Sequence, residues 1–266
     1  MMPGHPGWSC INQHQAMQAI DEAMTDGWTG RALVVGAGGI GRALAQALPS
    51  ALPRLEVVLC GRSLQPSEGW CVDLESTQSL DHLRTRLQDD PLPLRLVINA
   101  TGLLHRSSGM GLSMQPEKRL QQVSVEALEA SFSINAMAPL RLAQAVEPCL
   151  DRSLPFHFAS LSARVGSIGD NRSGGWYAYR GAKAAQNMYL RCLSLEWGRR
   201  FPLATVLLLH PGTTDTALSK PFQGFVPAQS LFTPERAAQQ LIQVLAAQGP
   251  NQSGAFLAWD GQSIPW

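Results

Sequence analysis

Short apolar runs alternate along the chain with longer stretches in which apolar residues recur every three or four positions. The runs fall at 32–36, 55–61, 70–74, 94–100, 156–161, 203–209 and 255–259. Several are nearly unbroken, as in Val206-Leu207-Leu208-Leu209. That is the pattern of strands covered on both faces, as in a parallel sheet. Helical periodicity marks 39–48, 76–89, 124–148, 174–199 and 233–247. The last segment opens on Thr233-Pro234-Glu235, which supplies a capping hydroxyl, a proline at the first helical position and an acid in the first turn. Repeated β-α units imply right-handed crossovers and helices on both faces of one doubly wound sheet. The pattern predicts an α/β fold with one domain over 31–266, preceded by an extension over 1–30. Within that extension, 12–25 carries a weak helical stripe. Segments 105–120 and 212–232 read as loops, and long loops of this kind often bind ligands or close over them.

Composition narrows the function classes. Of 266 residues, 45% are hydrophobic, enough for a sizeable core. Lys and Arg number 21 against 20 Asp and Glu, for a net charge of +1. That balance argues against a nucleic-acid binder held by phosphate contacts. No apolar stretch approaches the roughly 18 residues of a membrane span, and the first residues lack the basic-then-apolar order of a secretory signal. The five cysteines, Cys10, Cys60, Cys71, Cys149 and Cys192, form no CxxC pair. They read as reduced, mostly buried thiols of a cytoplasmic protein, without disulfides or zinc. The six histidines show no metal-ligand spacing, so no metal is expected, and His105 and His210 read as structural or cofactor-adjacent.

The candidate chemistry begins at Leu33-Val34-Val35-Gly36-Ala37-Gly38-Gly39-Ile40-Gly41, where a strand enters a glycine cluster that opens a helix. Glycines allow a tight turn and close backbone approach, and the helix N-terminus offers free N–H groups to an anion. Gly36, Gly38 and Gly41 fit GxGxxG, so a dinucleotide is predicted at this turn. The next strand ends at Gly61-Arg62-Ser63. An acid there suits the free ribose hydroxyls of NAD(H), whereas a guanidinium and a hydroxyl suit a 2′-phosphate. NADP(H) is therefore favoured over NAD(H); an exposed loop arginine is the alternative. Tyr179 and Lys183, four residues apart, share one face of the 174–199 helix. A nearby ammonium stabilises a phenolate, which would make the tyrosine a usable acid-base group. Asn135 lies on a stripe with Leu128, Phe132 and Leu142 and is expected to face inward. Pro139 has no N–H to give the Asn135 carbonyl, so a kink with a free carbonyl is expected.

Together these residues resemble the short-chain dehydrogenase/reductase family, within it the C-factor-like and sniffer-like carbonyl reductases. The resemblance runs from about Arg31 to the C-terminus. Besides the glycine loop and Asn135, it is carried by Asp73, Asn99-Ala100-Thr101-Gly102, Leu161-Ser162-Ala163-Arg164-Val165-Gly166, Gly175 to Arg180, and His210-Pro211-Gly212-Thr213. It implies a Rossmann-type domain using NAD(P)(H), with Tyr179 as general acid-base. It further implies Lys183 on the nicotinamide ribose and lowering the Tyr179 pKa, a serine on the substrate oxygen and Asn135 in a water relay. Gly36, Gly38, Gly39, Ile40 and Gly41 would meet the cofactor, with Arg62 and Ser63. Asp73 and Leu74 would meet the adenine; Asn99, Ala100 and Gly102 would line the cofactor; and Pro211, Gly212 and Thr213 would sit near the nicotinamide.

Two departures stand out. The family loop is usually TGxxxGxG; this one is a residue shorter, with Val35 in the threonine place. The catalytic serine usually stands three residues before a glycine, and counting back from Gly166 reaches Ala163. Ser162 is the expected replacement. Trp176, Tyr177 and the 213–232 loop are expected to shape the substrate pocket. The function expected is NADPH-dependent reduction of a small carbonyl compound, or the reverse oxidation of an alcohol. A catalytically weak dinucleotide sensor on the same scaffold is the alternative. Family members often pair through the two long helices, here 124–148 and 174–199, which allows a homodimer or homotetramer, but this branch also resembles monomeric members.

Overall fold

The computed structural model describes residues 28–106 and 114–266. The predicted helix at 12–25, Cys10 and part of the 105–120 loop lie outside them. Seven strands form one parallel sheet: β1 (Gly30–Val35), β2 (Leu55–Gly61), β3 (Trp70–Cys71), β4 (Leu94–Asn99), β5 (Phe156–Leu161), β6 (Ala204–His210) and β9 (Ala255–Ala258). Their order is β3-β2-β1-β4-β5-β6-β9. The chain winds one way from β1 to β3 and the other from β4 onward, so the β1/β4 boundary is the switch point where such sheets bind ligands. The helices are α1 (Gly39–Ala51), α2 (Thr77–Gln88), α3 (Val125–Phe132), α4 (Ala138–Val146), α5 (Tyr177–Arg200) and α6 (Pro234–Ala246).

Successive strand side chains serve opposite layers. Ala32 and Val34 pack with Leu44, Leu48, Leu241 and Leu245 of α1 and α6. Leu33 and Val35 pack with Leu80, Leu142, Leu190 and Trp197 of α2, α4 and α5. This two-sided burial explains the unbroken apolar runs. Phe158 and Trp197, both fully buried, meet edge to face at 5.8 Å; truncating either to alanine should cost about 3–5 kcal/mol. The Thr233 hydroxyl accepts from Arg236 N as the predicted cap of α6.

Five expectations are corrected. The helix predicted over 124–148 is two helices joined by a π-helical turn, Ser133–Met137. Pro139 cannot bond the Asn135 carbonyl, and the Ala138 N–H instead reaches back five residues to Ser133 O. Leu128 is off the inward stripe and exposed; Ala127, Ser131 and Asn135 form it. The helix predicted from 174 starts at Tyr177, because Gly174, Gly175 and Trp176 all adopt positive φ. The thiols are not mostly buried: of the four described, only Cys60 is, while Cys71 and Cys192 are exposed. The 212–232 segment is not plain loop but holds a short parallel pair, β7 (Thr213–Thr214) with β8 (Leu231–Phe232). Trp28 is buried against the His157 ring, with centroids 4.7 Å apart, so the extension's end joins the core. Among the described residues no helix is long and apolar enough to cross a membrane.

Candidate active site

A continuous trough crosses the C-terminal ends of β1 and β4. At one end, Gly36, Gly38, Arg42, Arg62, Ser63, Asp73 and Leu74 line a lobe of about 380 Å³. Gly38, Ala100, Thr101 and Gly102 continue into a second lobe with Gly39, Ile40, Ser162, Tyr179, Lys183 and Pro211. A third cavity, of about 420 Å³, opens beyond Tyr179.

The glycine turn divides its labour. A Cβ on Gly41 would strike the Gly36 carbonyl, and one on Gly36, whose φ is +117°, would meet Ala100 and Thr101 backbone at 2.8–2.9 Å. These two glycines let α1 and β4 approach β1. A Cβ on Gly38 would meet nothing within 4 Å, so this backbone faces the open trough. Gly38 caps α1 without a side-chain bond, and the first turn has no acid. The leading N–H groups of the helix are thus free for an anion. The loop is short, yet it closes, with Gly36 N–H on Cys60 O at 2.8 Å.

Arg62 and Ser63 stand in the first lobe as expected, and Arg42 joins them. Arg62 pairs with Glu75 at 3.5 Å and Arg42 with Glu68 at 3.2 Å. Arg42 was missed because its position in the first turn of α1 reads as an ordinary solvated one. Asn99 corrects its expectation. It does not line the trough; its amide donates to Ser160 Oγ at 2.8 Å, and its Oδ1 accepts from Thr101 N and Oγ1. It ties β4 to β5 and shapes the trough wall indirectly. Gly41 likewise lies beneath the wall, and Gly212 and Thr213 line the third cavity, leaving Pro211 in the second lobe.

Tyr179 lines both the second and the third lobe. Lys183 Nζ donates to Leu161 O and to Gln186 Oε1, each at 2.8 Å. An ammonium has three donors, so one remains. The Lys183 nitrogen is 5.8 Å from the centroid of the Tyr179 ring, and burial raises the phenol pKa well above its ordinary value. Burial also lowers Lys183 to about 7. Both shifts disfavour the charged form. Ser162 is buried between the same lobes, and its hydroxyl donates to Asn187 Oδ1 at 2.6 Å. Its only proton is thus committed. Asn187 Nδ2 is buried without a partner among the described residues. A half-turn of that amide would let Nδ2 donate to Ser162 and free the serine proton for the trough.

Asn135 is fully buried, but its amide is spent on protein. It donates to Leu103 O at 2.7 Å and to Ser131 at 3.0 Å, and accepts from Leu103 N at 3.0 Å. It fixes the Gly102–Leu104 wall. Gln186 and Asn187, which hold Lys183 and Ser162, were missed. Trp176 lines the third cavity; Tyr177 does not, facing a surface groove with Leu128 and Phe132.

A family model described as short chain dehydrogenase matches residues 31–224. The chain belongs to the short-chain dehydrogenase family. As such it is an oxidoreductase. It is 32% identical over 211 residues to the 1-hydroxy-2-glutathionyl-2-methyl-3-butene dehydrogenase of Rhodococcus sp. strain AD45, covering 79% of this chain and 84% of that one. It is 32% identical over 174 residues to the C-signal protein of Myxococcus xanthus, covering 65% of this chain and 93% of that protein. The NADPH-bound carbonyl reductase from chicken fatty liver shares its fold, with a TM-score of 0.70 at 23% identity over 90% of this dehydrogenase and 99% of that one.

Proposed function

We infer that this short-chain dehydrogenase reduces a small carbonyl compound using NADPH. The observation that carries the reading is Tyr179, placed where the second and third lobes meet and lining both, with Lys183 and Ser162 beside it. A phenol in that position can give its proton to a carbonyl oxygen. The glycine turn fits a pyrophosphate, with its open Gly38 face and uncapped helix. Arg42, Arg62 and Ser63 fit a 2′-phosphate at the far end. Lys183 has one donor left for the ribose hydroxyls, and Pro211 and Ile40 bound the ring site. When bound, the nicotinamide supplies the hydride.

The remaining steps belong to the chain. Tyr179 gives its phenolic proton to the oxygen as the carbonyl carbon is reduced. Ser162, with the Asn187 amide turned, donates a second hydrogen bond to that oxygen; in the orientation recorded it accepts one from the product alcohol instead. Asn135 acts through Leu103, holding the wall of the second lobe. The test is Tyr179→Phe with NADPH and a panel of aldehydes and ketones. Turnover should fall by at least about a hundredfold, with dinucleotide affinity unchanged. Wild-type turnover in that variant would remove Tyr179 from the mechanism. Dinucleotide binding without turnover of any carbonyl by the wild type would favour a sensor.

A further inference from the structure

The cavity beyond Tyr179 has an aromatic side and a cationic side. Trp176 and Phe222 form the first, with ring centroids 5.0 Å apart. Trp176 is the one non-glycine residue of the described chain at positive φ, +52°. Such a conformation costs about 1–3 kcal/mol and persists where the surroundings impose it, often at a binding site. Arg164 and Arg180 form the second side, with Asp170. Arg164 is paired with Asp170 at 3.0 Å. Arg180 meets only neutral groups. Its Nε donates to Gly175 O at 3.1 Å, Nη1 to Val165 O at 3.2 Å and Nη2 to Ser173 Oγ at 2.9 Å. No carboxylate of the described residues lies within ion-pair distance of it. His210, on the same wall, brings no charge near neutral pH, since burial lowers it to about 4.

Among the described residues Arg180 is therefore a half-buried cation without a counter-ion, on a cavity wall, one residue from Tyr179 on a helix. Burial lowers its pKa, with no acid offsetting the loss of solvent. A guanidinium has five N–H donors and three are used, leaving two for a planar anion. We propose that the substrate carries a carboxylate that binds Arg180, on an apolar or aromatic body lying against Trp176 and Phe222, with its carbonyl at Tyr179. This rests on the carbonyl-reductase reading above. It makes Arg180 a specificity determinant for that reaction.

The probes are 3- and 4-formylbenzoate and their methyl esters, with NADPH. They share one reacting aldehyde and differ in charge at the far end. The wild type should favour at least one acid over its ester by about tenfold or more in kcat/KM, mainly through KM. Sodium chloride should reduce that preference, since a half-exposed ion pair is screened. Arg180→Gln should abolish the preference and Arg180→Lys should keep part of it. Arg180 also holds the loop before α5, so a merely structural role would lower acid and ester alike and leave their ratio unchanged. If Arg180→Gln does not fold, the salt dependence of the wild-type ratio decides. Equal turnover of acids and esters by the wild type would overturn the proposal and leave the reductase standing. Turnover of neither, despite dinucleotide binding, would overturn both.

Discussion

Removing both arginines of the first lobe should cost NADPH binding and spare NADH. Arg42 and Arg62 are about half exposed, with side-chain exposures of 48% and 60%, and each now faces a surface carboxylate, Glu68 or Glu75. Ion pairs this exposed contribute little, so both guanidiniums are cheaply recruited. A 2′-phosphate offers them two negative charges and three acceptor oxygens. Hydrogen bonds to charged groups contribute about 1.5–3 kcal/mol. Solvent exposure and the surrendered carboxylate put these contacts at or below the low end, about 1–1.5 kcal/mol or roughly tenfold per arginine. The double variant Arg42→Ala/Arg62→Ala should then weaken NADPH by about 30- to 150-fold. NADH, which lacks the phosphate, should change less than threefold. Titration of nicotinamide fluorescence measures both dissociation constants. In the wild type, the NADPH-to-NADH ratio should fall as sodium chloride rises from about 0.05 to 0.5 M, because the Debye length shrinks from over 10 Å toward 4 Å. Equal weakening of both dinucleotides, or less than threefold loss for NADPH, would refute the assignment of these arginines to the phosphate.

Gly41→Ala drives a Cβ into the Gly36 carbonyl and should cost about 2–3 kcal/mol, lowering Tm by roughly 5–10 °C. Gly38→Ala meets open space, so Tm should stay within a degree or two while dinucleotide affinity falls; calorimetry with and without NADPH separates the two. His157 is buried and held at about 4, so the unfolded chain binds its proton first and stability is lost as pH falls from 6.5 toward 4. The loss is about 2 kcal/mol between pH 7 and pH 5, and His157→Gln should flatten that limb in urea titrations, leaving the part due to His210. Ser162→Ala should lower kcat by roughly ten- to a hundredfold with NADPH affinity unchanged, and an unchanged kcat would leave Tyr179 as the only group on the substrate oxygen.

The parallel sheet was readable because strands buried on two sides need apolar residues on both. Leu33 and Val34 point into different layers and are equally apolar. The glycine turn was readable because a side chain at Gly36 or Gly41 would collide with backbone. What escaped had no such one-to-one signal. Pro139 announces a broken bond at Asn135, but it does not say whether the helix kinks or widens into the π turn that forms, with the Asn135 amide bonded to Leu103. Trp176 at positive φ is not encoded by residue type at all; it follows from two preceding glycines and the bond of its N–H to Glu117 O.

The deeper reason Gln186 and Asn187 were passed over is that polar residues on a helix usually mark its solvated face. On α5 they mark the inward one. Tyr179, Lys183, Gln186 and Asn187 are all buried with Ala182 and Leu190, so the helix has little apolar asymmetry to read. Each polar group there has a task another cannot do. Gln186 accepts from Lys183 and donates to Ser160, and Ser160 in turn accepts from Asn99. Asn187 engages Ser162. The chain of bonds ties the tyrosine-bearing helix to the ends of β4 and β5. A buried network of this kind is costly if one member is left unpaired, and its bonds are what let α5 carry Lys183 and Gln186 on its inward face in place of apolar side chains.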